Sequence, residues 1–104
     1  MGDITIISNK VFFNNFVKNH KYVVLDCYAD WCGPCKRIAP LFKHLTSEHQ
    51  TVRGAKFNVD SNDELVEFLK VQAMPTFILF KDEIEVSRFE GANEDKLRKF
   101  FEIQ

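Results

Sequence analysis

Two thiols stand three residues apart in Cys32-Gly33-Pro34-Cys35, and a carboxyl, Asp26, precedes them in an otherwise apolar segment. Thiols at this spacing can close into a disulfide and reopen into a dithiol, or supply half of a zinc site. Zinc needs about four nitrogen or sulfur ligands. The remaining candidates are Cys27, His20, His44 and His49, and none forms a second pair with another Cys or His at ligand spacing. The pattern therefore favours thiol–disulfide exchange over metal binding.

That chemistry depends on position. Tyr22 to Tyr28 is apolar on nearly every residue, as expected for a strand buried on both faces. A helix is predicted from about Pro34 to Glu48, with Ile38, Leu41, Phe42 and Leu45 as its buried stripe and a kink at Pro40. The cysteines thus fall between a strand and a helix N-terminus, where unpaired N–H groups and the helix dipole stabilise a thiolate. Cys32, on the exposed lip, reads as the nucleophile. Cys35, one turn in and more sheltered, reads as the resolving thiol. Pro34 suits a first helical turn and stiffens the loop between the sulfurs.

The other elements alternate between short apolar runs and helical stripes, the mark of an α/β domain. Ile4 to Ile7 reads as a first strand. Ser8 or Asn9 caps a helix through about Asn19, with Phe12, Phe16 and Val17 on one face. Phe57 and Val59 alternate with Lys56, Asn58 and Asp60 as a strand. Ser61 to Glu64 reads as a capping box before a stripe of Leu65, Phe68 and Leu69. Thr76 to Phe80 is a buried strand, Lys81 to Glu83 a hairpin turn without glycine, and Ile84 to Glu90 an edge strand ended by Gly91. Asn93 caps a last helix on Leu97, Phe100 and Phe101. The order β-α-β-α-β-α-β-β-α favours parallel crossovers and one antiparallel hairpin, hence a mixed sheet.

Composition excludes several classes. The 104 residues suit one domain spanning 1–104, and the net charge of −1 gives no basic signature for nucleic acid. Apolar runs fall far short of the roughly 18 residues of a membrane span. The N-terminus does not read as a signal peptide, and Ile6 stands where an acylation motif beginning at Gly2 needs Ser or Thr. A cytoplasmic location is expected. Three cysteines are an odd number, which does not suit a structural disulfide framework. No phosphate-cradling glycine loop is present, so no bound cofactor is expected.

Trp31-Cys32-Gly33-Pro34-Cys35-Lys36 resembles the thioredoxin family motif, and the resemblance covers nearly the whole chain. Asp26, Ala29-Asp30, Pro40, Lys56, Asp60, Met74-Pro75-Thr76 and Gly91-Ala92 follow in the family's order. It implies a thioredoxin fold, a central mixed five-stranded sheet flanked by four helices. It implies a protein-disulfide reductase that is re-reduced by thioredoxin reductase with NADPH, maintains thiol redox state and donates electrons to target enzymes. Its partners would be that reductase and disulfide-containing proteins, with no metal, and the chain would be mostly monomeric.

The resemblance also implies residue roles. Asp26 would move the proton of Cys35, which needs the raised pKa that burial gives a carboxyl. Lys56 would modulate Asp26. Trp31, Gly33, Pro34, Met74, Pro75, Gly91 and Ala92 would form the substrate face. By itself an X-Pro bond is expected to be trans. The resemblance makes Met74–Pro75 cis and turns the Met74 backbone toward the disulfide. Tyr28 stands where many members carry Trp. Cys27 stands where Phe is common, and reads as a small core residue whose side chain faces away from that of Asp26. Two other readings compete: a binding module that uses this face without turnover, and an oxidase or isomerase of the secretory pathway. The intact cysteine pair argues against the first. Gly33-Pro34 and the N-terminus argue against the second.

Overall fold

The computed structural model describes residues 3–102. Met1, Gly2, Ile103 and Gln104 lie outside the described residues, so the acylation reading at Gly2 and the two ends of the 1–104 domain lie outside them too. Nine elements and one short turn follow the expected order: β1 (Thr5–Ile6), α1 (Lys10–Asn19), β2 (Tyr22–Tyr28), α2 (Gly33–Glu48), β3 (Val52–Asn58), a 3-10 turn (Val59–Ser61), α3 (Asp63–Leu69), β4 (Thr76–Lys81), β5 (Ile84–Glu90) and α4 (Glu94–Phe101). The sheet order is β1-β3-β2-β4-β5. β1, β3 and β2 run parallel, while β4 is antiparallel to β2 and β5 to β4.

β2 is central and its interior is buried on both faces. Val23, Leu25 and Cys27 belong to one core cluster, with Phe13, Phe16 and Val17 of α1 and Leu65 and Leu69 of α3. Val24 belongs to the other, with Ile38, Phe42 and Leu45 of α2 and Leu97, Phe100 and Phe101 of α4. Strand alternation therefore sends Asp26 to the α2 side and Cys27 to the α1/α3 side.

Each helix start has a side-chain cap. Asn9 Oδ1 accepts from Phe12 N at 2.8 Å, Asn62 Oδ1 from Leu65 N at 2.9 Å and Asn93 Oδ1 from Lys96 N at 3.0 Å. The capping box expected at Ser61 does not form: the cap is Asn62, and Leu65 stands at the third helical position where the box needs Glu or Gln. Ser61 instead lies in the 3-10 turn and donates to Asn58 O. β3 reaches back to Val52 and stops at Asn58, because the Asn58 side chain accepts from Asp60 N at 3.0 Å and turns the chain there. Val59 is thus in the turn and not in a strand.

Three apolar expectations need correction. Phe13, not Phe12, fills the α1 core position and meets Phe80 edge-on at 5.2 Å, leaving Phe12 exposed. Phe68 is also exposed; Phe13 touches its ring and Lys10 Nζ sits 4.3 Å above it. Leu41 is only half-buried, at the margin of the α2/α4 cluster. The hairpin without glycine places both Asp82 (φ 50°) and Glu83 (φ 72°) in the left-handed region, as a two-residue primed turn requires. Asp82 N anchors it by donating to Lys21 O at 2.9 Å.

Candidate active site

α2 begins at the cysteine pair because Cys32 serves as its N-cap. Its extended backbone lets Sγ accept from Cys35 N at 3.2 Å, and Pro34 occupies the first turn, where a missing N–H costs nothing. Cys32 and Cys35 are joined as a disulfide, with their Cα atoms 5.3 Å apart. The hydrogen bond to Cys32 Sγ is one that a thiolate would strengthen, since charge-assisted bonds are the stronger kind.

Exposure does not separate the two cysteines as the sequence suggested. Their relative exposures are 5% and 4%. Surroundings separate them instead. Cys32 Sγ lies at the helix end and 3.7 Å from the Met74 carbonyl oxygen. Cys35 lines a cavity of about 160 Å³, partly open to solvent, with Asp26, Tyr28, Lys36 and Lys56. The cavity has space for water beside polar groups.

Asp26 is 4% exposed, and its Oδ1 has no hydrogen-bond partner among the described residues. Burial pushes its carboxyl up to about 7, with the Lys56 ammonium opposing that shift. The two residues are register partners across β2 and β3. Among the described residues no ion pair joins them; Lys56 Nζ instead lies 5.6 Å from the centroid of the Tyr28 ring. Tyr28 also has a raised pKa, first from burial and then from Asp30 and Asp26. Cys27 is fully buried and free, and burial raises its thiol far above the ordinary range, with the Asp26 charge adding to the effect.

The outer rim is built from loops. Met74–Pro75 is a cis bond, and Gly91 N donates to Pro75 O at 2.8 Å, tying the two loops together. Gly91 has φ 96°, a conformation that favours glycine. Ala92 is half-buried against the α2/α4 cluster. Trp31 is 67% exposed, yet its indole Nε1 donates to Asp60 Oδ2 at 2.9 Å. Asn58 donates to Asp30 at 3.3 Å and turns the chain at Asp60. Sequence reasoning missed this support for Trp31. The spacing Asn58-x-Asp60 was a turn signal, but nothing local linked it to a residue 29 positions away. Gly33 lies on the exposed side of the first turn of α2, and Pro34 beside it is half-buried.

The family model described as Thioredoxin matches residues 4–102. The chain belongs to the thioredoxin family. It is 42% identical over 89 residues to Thioredoxin-1 of Caenorhabditis elegans, covering 84% of this chain and 77% of that one. It is 41% identical over 99 residues to Thioredoxin of Geodia cydonium, covering 92% and 93%. The crystal structure of mitochondrial Thioredoxin 3 from Saccharomyces cerevisiae, in its oxidized form, superposes with a TM-score of 0.91 at 37% identity, covering 95% of this chain and 93% of that one. With this family membership, fold and cysteine pair, the protein is a dithiol–disulfide oxidoreductase that reduces protein disulfides. Among the described residues no group of His, Cys, Asp and Glu could hold a metal ion, and no helix is long and apolar enough to cross a membrane.

Proposed function

We propose that Cys32 is the attacking sulfur, Cys35 the resolving one and Asp26 the group that takes the Cys35 proton. In the dithiol form the Cys32 thiolate attacks one sulfur of a target disulfide. That bond breaks, a mixed disulfide forms, and the target's other sulfur leaves as a thiolate and is protonated. Cys35 gives its proton to Asp26, directly or through water in their shared cavity. Its thiolate then attacks Cys32 Sγ. The second target thiol leaves, and the chain carries the Cys32–Cys35 disulfide, having passed two electrons to the target. Lys56 tunes Asp26 by its charge. Trp31, Gly33, Pro34, Met74, Pro75, Gly91 and Ala92 form the face on which an extended target segment lies, with the Met74 backbone as its pairing edge.

NADPH, acting through a thioredoxin reductase, returns the dithiol, and the chain binds no cofactor itself. It works as a single domain over 1–104, mostly as a monomer, in the cytoplasm, where it maintains thiol redox state and donates electrons to target enzymes. Its partners are that reductase and disulfide-bearing proteins. A free Cys27 beside a single redox pair suits a reducing compartment, and one similar protein is mitochondrial.

The observation that carries this reading is the cavity shared by Cys35 and Asp26 directly behind the helix end that holds Cys32. The test is insulin disulfide reduction driven by NADPH and a thioredoxin reductase. Wild type should turn over, whereas Cys35→Ser should stall as a mixed disulfide on Cys32 with turnover reduced to background. Sustained turnover by Cys35→Ser would remove the two-cysteine mechanism. An inert wild type that the reductase still reduces would point to a narrow target range.

A further inference from the structure

α2 carries its charges against its own dipole. Its first turn has no acid, Lys36 and Arg37 follow immediately, and its acid, Glu48, is the last residue. α3 and α4 obey the usual rule, with Asp63 and Glu64, and Glu94 and Asp95, in their first turns. α1 also opens on a cation, Lys10, with no acid in its first turn, but α2 sets its cations beside the reactive pair, where they can act on a target. The two cations are also placed differently. Lys36 lines the Asp26 cavity. Arg37 is exposed, and its guanidinium Nη1 lies 3.7 Å from where a β-carbon on Gly33 would sit, alongside the residue that follows Cys32. Among the described residues no carboxylate forms an ion pair with Arg37; the two other arginines with recorded ion pairs, Arg88 and Arg98, engage Glu85, Glu94 and Asp95.

We propose that Arg37 is a specificity-determining residue that favours target disulfides flanked by a carboxylate side chain. This rests on the reductase reading above. A guanidinium offers a planar fork that matches a carboxylate, and at the rim of the site it acts on encounter and docking. Asp60 accepts from the Trp31 indole at the rim, while Asp30 lines the same cavity as Lys36, which leaves Arg37 as the cation beside Gly33. A target segment crossing Cys32 and Gly33 therefore meets the Arg37 guanidinium. Stabilisation of the Cys32 thiolate by Arg37 would speed every target alike, and it cancels when targets are compared on one protein.

The test uses three disulfide-bonded peptides that differ only in one residue beside the reacting cysteine: Glu, Gln or Lys. The readout is the second-order rate constant of the fully reduced protein with each peptide, taken as a Glu-to-Lys ratio at low and high salt. Wild type should favour Glu by roughly two- to fivefold at low salt, with the ratio falling as salt rises. Arg37→Gln should bring the ratio close to one, Arg37→Glu should invert it, and Arg37→Lys should retain part of it. A wild-type ratio near one, a ratio unchanged by Arg37→Gln, or a uniform slowing of all three peptides with the ratio intact would each overturn the proposal. A wild type that reduces none of the peptides would overturn the reductase reading first, and this proposal with it.

Discussion

Asp26 and Cys27 are adjacent in β2, both buried and both pushed toward their neutral forms by desolvation. They differ in what their side chains face. Asp26 points to the α2 side, into a cavity that Cys35 and Lys56 also line, and its Oδ1 has no partner among the described residues. Cys27 points to the α1/α3 side, into an apolar cluster with Phe57 and Ala29 that extends to Cys32 and Cys35, and it does not line the cavity. A perturbed pKa therefore does not mark a working group. A perturbed group in contact with a reacting atom or with water has a route for its proton; the other is core with an inert thiol.

The largest effect that would sharpen this contrast is at Asp26. Its folded pKa of about 7 lies above the unfolded carboxyl value of 3.8, so the folded state holds the proton more tightly. The destabilisation is absent below pH 3.8, grows as pH rises toward 7, and is complete above it. Asp26→Asn should thus be more stable than wild type at pH 8, by up to about 4 kcal/mol, with the gain vanishing near pH 3. It should also slow resolution of the mixed disulfide and flatten the pH profile near 7. Denaturant melts at several pH values, with single-turnover kinetics, check both. A gain in stability independent of pH would remove the buried-ionisation argument.

A smaller effect is expected at Gly54, on the same side of the sheet as Asp26. A β-carbon there would meet Thr46 Oγ1 and Cγ2 of α2, both inside contact distance. Thr46 is buried and donates to Phe42 O at 2.8 Å, so it cannot simply turn outward. Gly54→Ala should cost about 1–3 kcal/mol by pushing α2 off the sheet, and should lower exchange rates because α2 carries Cys35. Thermal melts and insulin reduction measure the two losses together.

The smallest effect belongs to the opposite face. Cys27→Ala should cost about 1–2 kcal/mol as lost packing and leave exchange kinetics unchanged. In the reduced native protein a thiol reagent should react promptly with Cys32, and with Cys27 only after denaturation. Loss of exchange activity in Cys27→Ala would break the distinction between the two faces.

The sequence by itself determined the element order, the mixed sheet and the start of α2 at the cysteine pair. These are local matters: apolar periodicity, Asn caps and a proline in a first turn act within a few residues. It also sent Asp26 and Cys27 to opposite faces, because strand alternation is fixed by geometry. Proximity at long range was decided only by tertiary structure. Asp60 reaches Trp31, Arg37 lies beside Gly33 with no ion pair among the described residues, and Phe13 rather than Phe12 reaches Phe80 because of how distant elements pack. The near-equal burial of Cys32 and Cys35 was likewise invisible locally, since the Met74–Pro75 and Gly91 loops that shelter Cys32 come from the other end of the chain. Spacing along a chain sets which face a side chain takes, whereas packing between elements sets what stands opposite it.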